Sequence, residues 1–207
     1  MDHHRIGSCG IDEKLMADFR KILSHVDKWE GGLVFIPEEK QYTNRGIQWT
    51  TFKELAPRLI GISNPSLDDL KKLTQEQWEK FIQYFWNIAT NGNSINNQRS
   101  AELMFQALWG SGRTGIKVMQ RAIGVDADGI VGKITTSAIN RNPKSPQILY
   151  QALEDFYKKL ATDKPERYGR FLKGWLNRLS ELKPDKAAAM GIILAGSLFL
   201  LYLITNK

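Results

Sequence analysis

The stretch WEGGLVFIPEEKQYTNRGI, residues 29–47, interrupts a chain that is otherwise patterned for helices. Its paired glycines, Gly31 and Gly32, its Pro37 and the β-prone runs LVFI and GIQWT stop the helical periodicity and indicate a loop or small hairpin. Before it, residues 12–28 carry apolar side chains at helical spacing, with Asp12 placed to cap the helix. We therefore expect a mainly α protein with a small β-hairpin or loop patch directly after its first helix.

Helical patterns resume after this patch and continue to about residue 182. Thr74 followed three residues later by Gln77 is a capping-box signature, which predicts the start of a helix. Further along, DADGIVG, residues 126–132, predicts a structural turn that joins two helices. The sequence before residue 183 therefore predicts a string of helices with one irregular patch near its beginning.

Composition limits the kinds of partner and site. The 207 residues include 29 lysines and arginines against 22 aspartates and glutamates, a formal net charge of +7, which favours anionic partners such as a cell-wall polymer or a membrane surface. The basic residues form no block, which argues against nucleic acid as a partner. Cys9 is the single cysteine, and His3, His4 and His25 are the only histidines. We therefore expect no metal site and no cofactor.

Glu30 is the leading candidate for a catalytic residue in this patch. It follows the first predicted helix and directly precedes the paired glycines, which places its carboxyl at the mouth of any cleft that the hairpin forms. Glu39 and Thr43 follow in the same patch. A glycosidase needs a carboxylic acid near the leaving oxygen and a second group that handles water. These three residues fit that requirement, although a glutamate at the end of a helix is more often only a solvated charge.

The patch resembles the opening motif of the glycoside hydrolase family 108 muramidases. The second half also resembles that family's predicted peptidoglycan-binding module, through DADGIVGKIT at residues 126–135 and GWLNR at residues 174–178. This resemblance implies a lysozyme-like catalytic lobe over residues 12–112 and a helical peptidoglycan-binding module over residues 113–183. The positions that coincide with the family's opening motif are Glu30, Gly31, Gly32, Pro37, Thr43, Gly46 and Ile47.

The resemblance also implies an activity. It is that of an endolysin-type N-acetylmuramidase, which cleaves the β-1,4 bond between N-acetylmuramic acid and N-acetylglucosamine in the glycan strands of peptidoglycan. In the family the glutamate of the EGG motif is the catalytic acid, and here it is Glu30. Glu39 stands for the family's second acid, an aspartate, and Thr43 is expected to position water. The candidates for substrate binding, close to the expected cleft, are Tyr42, Arg45 and Trp49.

Besides Glu39, three further positions depart from the family pattern. Gln41 and Tyr42 replace two glycines before the threonine, with one residue deleted, and Gln106 stands where the family has an aspartate. These departures keep open a second hypothesis, a non-catalytic peptidoglycan-binding or scaffold protein that retains the fold. A third hypothesis is a membrane-active lysis or assembly component whose tail carries the function.

The tail is the run AAAMGIILAGSLFLLYLI, residues 187–204, which contains no charge. As a helix it would be about 27 Å long, close to the thickness of the hydrocarbon layer. We therefore expect a C-terminal transmembrane helix, contact with the lipid bilayer and a single-pass membrane localisation. Small residues recur every four positions at Ala187, Gly191 and Ala195, which predicts self-association through the tail. The charge rule places the preceding domain in the cytoplasm, whereas a peptidoglycan substrate requires the periplasmic side.

Overall fold

The computed structural model describes residues 16–37 and 40–185 of the chain. Its helices lie around one hydrophobic core that runs from Ala17 to Leu182, with a small sheet after the first helix. A 3₁₀ turn, Gly169–Phe171, connects the last two helices. The helices are α1 (Arg20–Trp29), α2 (Trp49–Ile60), α3 (Leu67–Lys71), α4 (Gln75–Thr90), α5 (Gln98–Ala122), α6 (Lys133–Arg141), α7 (Ser145–Asp163), α8 (Pro165–Tyr168) and α9 (Leu172–Ser180), and the strands are β1 (Val34–Ile36), β2 (Gln41–Asn44) and β3 (Ile47–Gln48).

The patch after the first helix is a three-stranded antiparallel sheet in the order β1–β2–β3. In the pairing of β2 with β3, Thr43 lies directly opposite Gln48. The turn between these strands contains Arg45 and Gly46, both at positive φ (48° and 77°). The prediction of a mainly α protein with a small β patch at this position is confirmed.

Helix starts follow local hydrogen bonds. The capping box predicted before α4 is confirmed, because the Thr74 hydroxyl accepts the Gln77 N–H and the Gln77 side chain accepts the Thr74 N–H. The first helix begins at Arg20, later than the apolar pattern predicted, and the Asp18 carboxylate accepts the Arg20 N–H (3.0 Å) at this point. Asp12, the cap that the pattern suggested, lies outside the described residues.

The centre of the molecule is α5, which packs against α4 and against α7. Its residues 100–107 are all buried. A sharp kink follows at Gly112 (φ 56°, ψ −145°), and beyond it Gly115 lies so close to the Ala107 carbonyl oxygen that a Cβ would be 2.1 Å from it. Only glycine fits there, so the two halves of α5 pack backbone to backbone. The boundary predicted between residues 112 and 113 falls at this kink and stays a prediction.

The turn predicted at residues 126–132 joins α5 to α6. Gln120, which is buried on α5, organises it. Its side-chain amide donates to an Asp128 carboxylate oxygen (2.7 Å) and to the Ile130 carbonyl (3.0 Å), and its oxygen accepts the Gly129 N–H (2.8 Å). The loop is therefore fixed by a polar side chain inside the core, and its structural interpretation is confirmed.

The expected transmembrane helix needs a correction. Within residues 16–37 and 40–185, no helix is long and apolar enough to cross a bilayer, and residues 187–204 lie outside the described part of the chain. The two longest helices, α5 and α7, are amphipathic and carry charged side chains such as Arg113, Lys117 and Lys158. The transmembrane helix, the single-pass membrane localisation, the bilayer contact and the self-association through the tail are therefore not supported by the structure.

Candidate active site

Glu30 lies where α1 ends, and its backbone is extended (φ −98°, ψ 124°). Its N–H still donates to the Val26 carbonyl oxygen (3.2 Å), so the helix fixes the position of the residue. The two glycines that follow, Gly31 and Gly32, have nothing within 4 Å of the place where a Cβ would be. The chain next to Glu30 is therefore open to a bulky ligand.

Two donors from distant helices bind the Glu30 carboxyl. The Trp109 indole N–H, from α5, donates to Oε1 over 2.9 Å, and the Arg178 guanidinium, from α9, donates to the same oxygen over 3.1 Å. Only 11% of the Glu30 side chain is exposed. The carboxyl is thus held in one orientation by a neutral donor and a cation, with both contacts on one of its two oxygens.

Gly46 covers the other side of this carboxyl. Its φ of 77° is in the left-handed region, and a Cβ there would lie 2.5 Å from Trp109 Cζ2 and 2.7 Å from the Glu30 carboxyl carbon. Any side chain would displace one of these two groups. The glycine that the opening motif requires is therefore explained by close approach of the β2–β3 turn to Glu30.

Of the two predicted partners of Glu30 in catalysis, the structure describes Thr43 and does not describe Glu39. The Thr43 hydroxyl is buried and has no hydrogen-bond partner among the described residues. Because Thr43 is paired with Gln48, the two side chains lie on the same face of the sheet. Glu39 lies outside the described residues, so its position relative to Glu30 stays a prediction.

Two cavities lie near this carboxyl, although Glu30 itself lines neither of them. The smaller has a volume of about 360 Å³ and is lined by Gly46, Gln48 and Trp109. The larger, about 590 Å³, lies between β1 and the C-terminal helices. Gly110 and Ser111, which follow Trp109 on α5, line both of them. The two cavities therefore adjoin at Gly110 and Ser111, next to the tryptophan that holds Glu30, and we refer to the two together as the groove.

The three predicted substrate-binding residues lie around the sheet and are not among the lining residues of these cavities. The Tyr42 ring is exposed and packs edge to face against Phe35. The Arg45 guanidinium forms an ion pair with Asp27 and lies over a buried tryptophan ring, 4.3 Å from its centroid. Trp49, the first residue of α2, packs against the core. Their roles in binding stay predictions.

A polar cluster clamps α9 onto α1 next to Glu30. The Glu181 carboxylate accepts hydrogen bonds from the Lys28 ammonium and the Trp29 indole N–H, and lies 3.1 Å from His25 Nδ1. Burial lowers the pKa of His25 and outweighs the opposing effect of Glu181. Desolvation raises the pKa of Glu181, but the hydrogen bonds from Lys28, Trp29 and His25 outweigh it, so the pKa is lowered.

Sequence reasoning missed the side chains that hold Glu30. Arg178 lies in the GWLNR segment, which carried the resemblance, and Trp109 lies in the FQALWGSG segment after Gln106, which departs from the family pattern. Neither segment gave a sign of a shared contact. Trp175, in the same GWLNR segment as Arg178, is half-buried and lines the larger cavity. Gln106, at the position of a family aspartate, is buried near the Tyr157 hydroxyl. Motif order alone pointed to these segments, because the partners lie 79 and 148 positions from Glu30.

A metal centre has no candidate in the described part of the chain. Among residues 16–37 and 40–185, no three histidine, cysteine, aspartate or glutamate side chains form a group that could hold a metal ion.

Comparison with known proteins relates the chain to peptidoglycan. Residues 114–180 match a family described as a predicted peptidoglycan domain. Among solved structures, Brucella abortus SagA is similar, with 26% sequence identity and a TM-score of 0.63 over 82% of this chain and 97% of that one. No curated protein matches the sequence. The relation to peptidoglycan and the cell wall is therefore supported.

Proposed function

We propose that the chain is a peptidoglycan hydrolase of the N-acetylmuramidase type, with Glu30 as its general acid. The observation that carries the proposal is the setting of the Glu30 carboxyl, which is fixed by Trp109 and Arg178 near the smaller cavity, lined by Gly46 and Trp109. The predicted peptidoglycan domain and the likeness to SagA support peptidoglycan as the substrate. The resemblance of the EGG motif to a muramidase motif supports the reaction type.

The contacts of Glu30 suggest how the proton moves. Trp109 and Arg178 both bind Oε1, and within the described residues Oε2 accepts no hydrogen bond. In the proposed reaction Oε2 carries the proton and transfers it to the glycosidic oxygen as the bond from that oxygen to the anomeric carbon breaks. The negative charge that this leaves on Glu30 is stabilised by the guanidinium and the indole N–H. The same two donors thus orient the acid and stabilise its product.

Glu39 and Thr43 are proposed to act on water. Glu39 would take a proton from the water that attacks the anomeric carbon, and the buried Thr43 hydroxyl would hold that water. This division of roles predicts inversion at the anomeric carbon, with the two carboxyls roughly 6.5–9.5 Å apart. Nuclear magnetic resonance of the first product anomer tests this step, and a retained configuration would remove Glu39 from the role of base.

Tyr42, Arg45 and Trp49 are proposed to contact the glycan beside the groove. Tyr42 is the strongest candidate of the three, because its ring is exposed on β2 and can pack against a sugar ring. Arg45 would have to loosen its ion pair with Asp27 before it bound a ligand. Tyr42→Ala is therefore expected to raise KM more than it lowers kcat.

The decisive experiment replaces Glu30 by glutamine and follows the clearance of purified peptidoglycan. Glutamine keeps the shape but has no proton to transfer, so the rate should fall by a factor on the order of 10² or more. Binding to pelleted walls and the circular dichroism spectrum should not change. Glu54→Gln is the matched control, since Glu54 is exposed on α2. Wild-type rates in Glu30→Gln would reject Glu30 as the acid.

A second candidate function has its own supporting observation. The Glu30 carboxyl is largely buried and already paired with Arg178, as expected for a structural ion pair. A non-catalytic peptidoglycan-binding or scaffold protein would carry such a pair without turnover. Wild-type protein that sediments with walls but does not clear them would support this function and reject the hydrolase.

A further inference from the structure

The larger cavity is not used by the reaction proposed above, which takes place at Glu30. One wall comes from the sheet, through Phe35 and Pro37, and the opposite wall comes from α7 to α9. Phe156 and Trp175 are among the residues of that second wall. The second wall belongs to the stretch that matches a predicted peptidoglycan domain. A ligand here would touch both halves of the chain.

Aromatic rings form a rigid surface in this cavity. The Trp175 ring lies against the buried Tyr157 ring, with centroids 5.3 Å apart, and is stacked on Phe171 at 5.9 Å. Phe171 is 37% exposed, although the Arg170 guanidinium lies over its ring, 4.6 Å from the centroid. Because the rings pack against one another, their exposed parts offer apolar surface without the cost of ordering flexible side chains. The apolar face of a sugar ring fits such a surface.

A cation stands at the edge of these rings. The Arg167 guanidinium lies 5.1 Å from the centroid of the Tyr168 ring, and Arg167 has no acidic partner among the described residues. Arg167 lines the cavity, on the same wall as Phe171 and Trp175. A guanidinium held over a ring is oriented to bind a carboxylate through two parallel hydrogen bonds.

We propose that this cavity binds a muramyl unit of peptidoglycan together with its acidic stem peptide. The sugar face packs on Phe171 and Trp175, and a carboxylate of the peptide binds Arg167. The inference rests on the proposed function, because it takes the ligand to be peptidoglycan. Since Gly110 and Ser111 line both cavities, a strand held here extends along the groove toward Glu30.

The test compares two soluble probes by isothermal titration calorimetry on the full chain in the Glu30→Gln background. One probe is a disaccharide–tetrapeptide muropeptide with free carboxylates, and the other is a chitotetraose without any. Arg167→Gln should weaken binding of the muropeptide about tenfold and leave chitotetraose unchanged, because only the first carries a carboxylate. Phe171→Ala should weaken both. High salt should reduce the preference for the muropeptide.

Arg121→Gln is the matched control, because Arg121 is exposed at the end of α5 and lies outside the cavity. Equal affinity for the two probes, or equal loss in Arg121→Gln and Arg167→Gln, would overturn the inference. Clearance of walls by the otherwise wild-type chain is measured in parallel. If Arg167→Gln and Phe171→Ala change neither the turnover nor the affinity for the muropeptide, the cavity is rejected as a binding site, and the proposed hydrolase is not affected. If muropeptide binding depends on Arg167 but the otherwise wild-type chain does not clear walls, the hydrolase function is rejected and the binding site is retained.

Discussion

The Arg178 guanidinium and the Glu30 carboxylate form an ion pair across 148 positions of sequence, with Nη1 3.1 Å from Oε1. Arg178 lies in the stretch that matches a predicted peptidoglycan domain, and Glu30 ends the first helix. Three positions after Arg178, Glu181 binds α1 as well, through Lys28 and Trp29. The C-terminal helix is therefore attached to the helix that presents the candidate acid.

This ion pair should be visible as an energetic coupling. Arg178→Met keeps most of the side-chain stem but removes the charge, so the free energy of unfolding should fall by about 1–3 kcal/mol. Urea denaturation of Arg178→Met, Glu30→Gln and the double variant gives the coupling. The free energy of unfolding should fall less in the double variant than the sum of its decreases in the two single variants. The difference, which is the coupling energy, should be roughly 0.5–3 kcal/mol. Strict additivity would mean that the pair contributes nothing to the attachment of α9.

Gly46 should tolerate no side chain. Gly46→Ala would place a Cβ 2.5 Å from Trp109 Cζ2 and 2.7 Å from the Glu30 carboxyl carbon, so one of these groups has to move. We expect loss of wall clearance and a destabilisation well above that of Gly61→Ala. Gly61 is the matched control, since its φ of 75° is equally strained for alanine and nothing lies within 4 Å of its Cβ position. That control should cost about 1–2 kcal/mol. Equal melting temperatures for the two variants would contradict the close approach.

The Thr43 hydroxyl should matter for turnover and not for folding. It is buried without a partner among the described residues, so Thr43→Val replaces an unsatisfied polar atom by a methyl group. The free energy of unfolding should stay the same or rise by up to about 1 kcal/mol. Wall clearance should fall sharply if the hydroxyl holds the attacking water, and Thr43→Ser should restore it. A fully active Thr43→Val would assign the hydroxyl no role in the reaction.

Stability should fall on mild acidification because of His25. Its pKa is lowered in the folded chain, so between the folded value and the unfolded value of about 6.5 the unfolded chain binds more protons. The stabilising effect of the neutral ring is complete above pH 6.5 and decreases below it. His25→Asn should reduce the loss of stability between pH 7.5 and pH 5.5, measured by urea denaturation at both values. If His25→Asn loses as much stability between the two pH values as the wild type does, the loss is caused by other titrating groups.

Glu181 does not complicate that comparison. Its pKa is lowered in the folded chain, so the stability that it contributes is complete above its ordinary value of 4.5 and is lost only at more acidic pH. The two groups therefore act in different pH windows, although their side chains are in contact.

The sequence by itself determined the local structure. The capping box of Thr74 and Gln77, the turn at residues 126–132 and the break of periodicity after the first helix depend on neighbours within a few positions. Such patterns are visible in a linear sequence because the interacting groups are close along the chain. The opening motif also singled out Glu30 and Gly46, although it gave no physical reason for the glycine.

Only the tertiary structure decided what surrounds Glu30. Its two donors, Trp109 and Arg178, come from helices that follow it by 79 and 148 positions. Packing likewise paired Arg45 with Asp27 and placed Trp175 at a cavity wall. These environments depend on which helix faces meet when the core forms. A linear pattern carries periodicity and capping, whereas the surroundings of a carboxyl are set by contacts between segments that are distant in sequence.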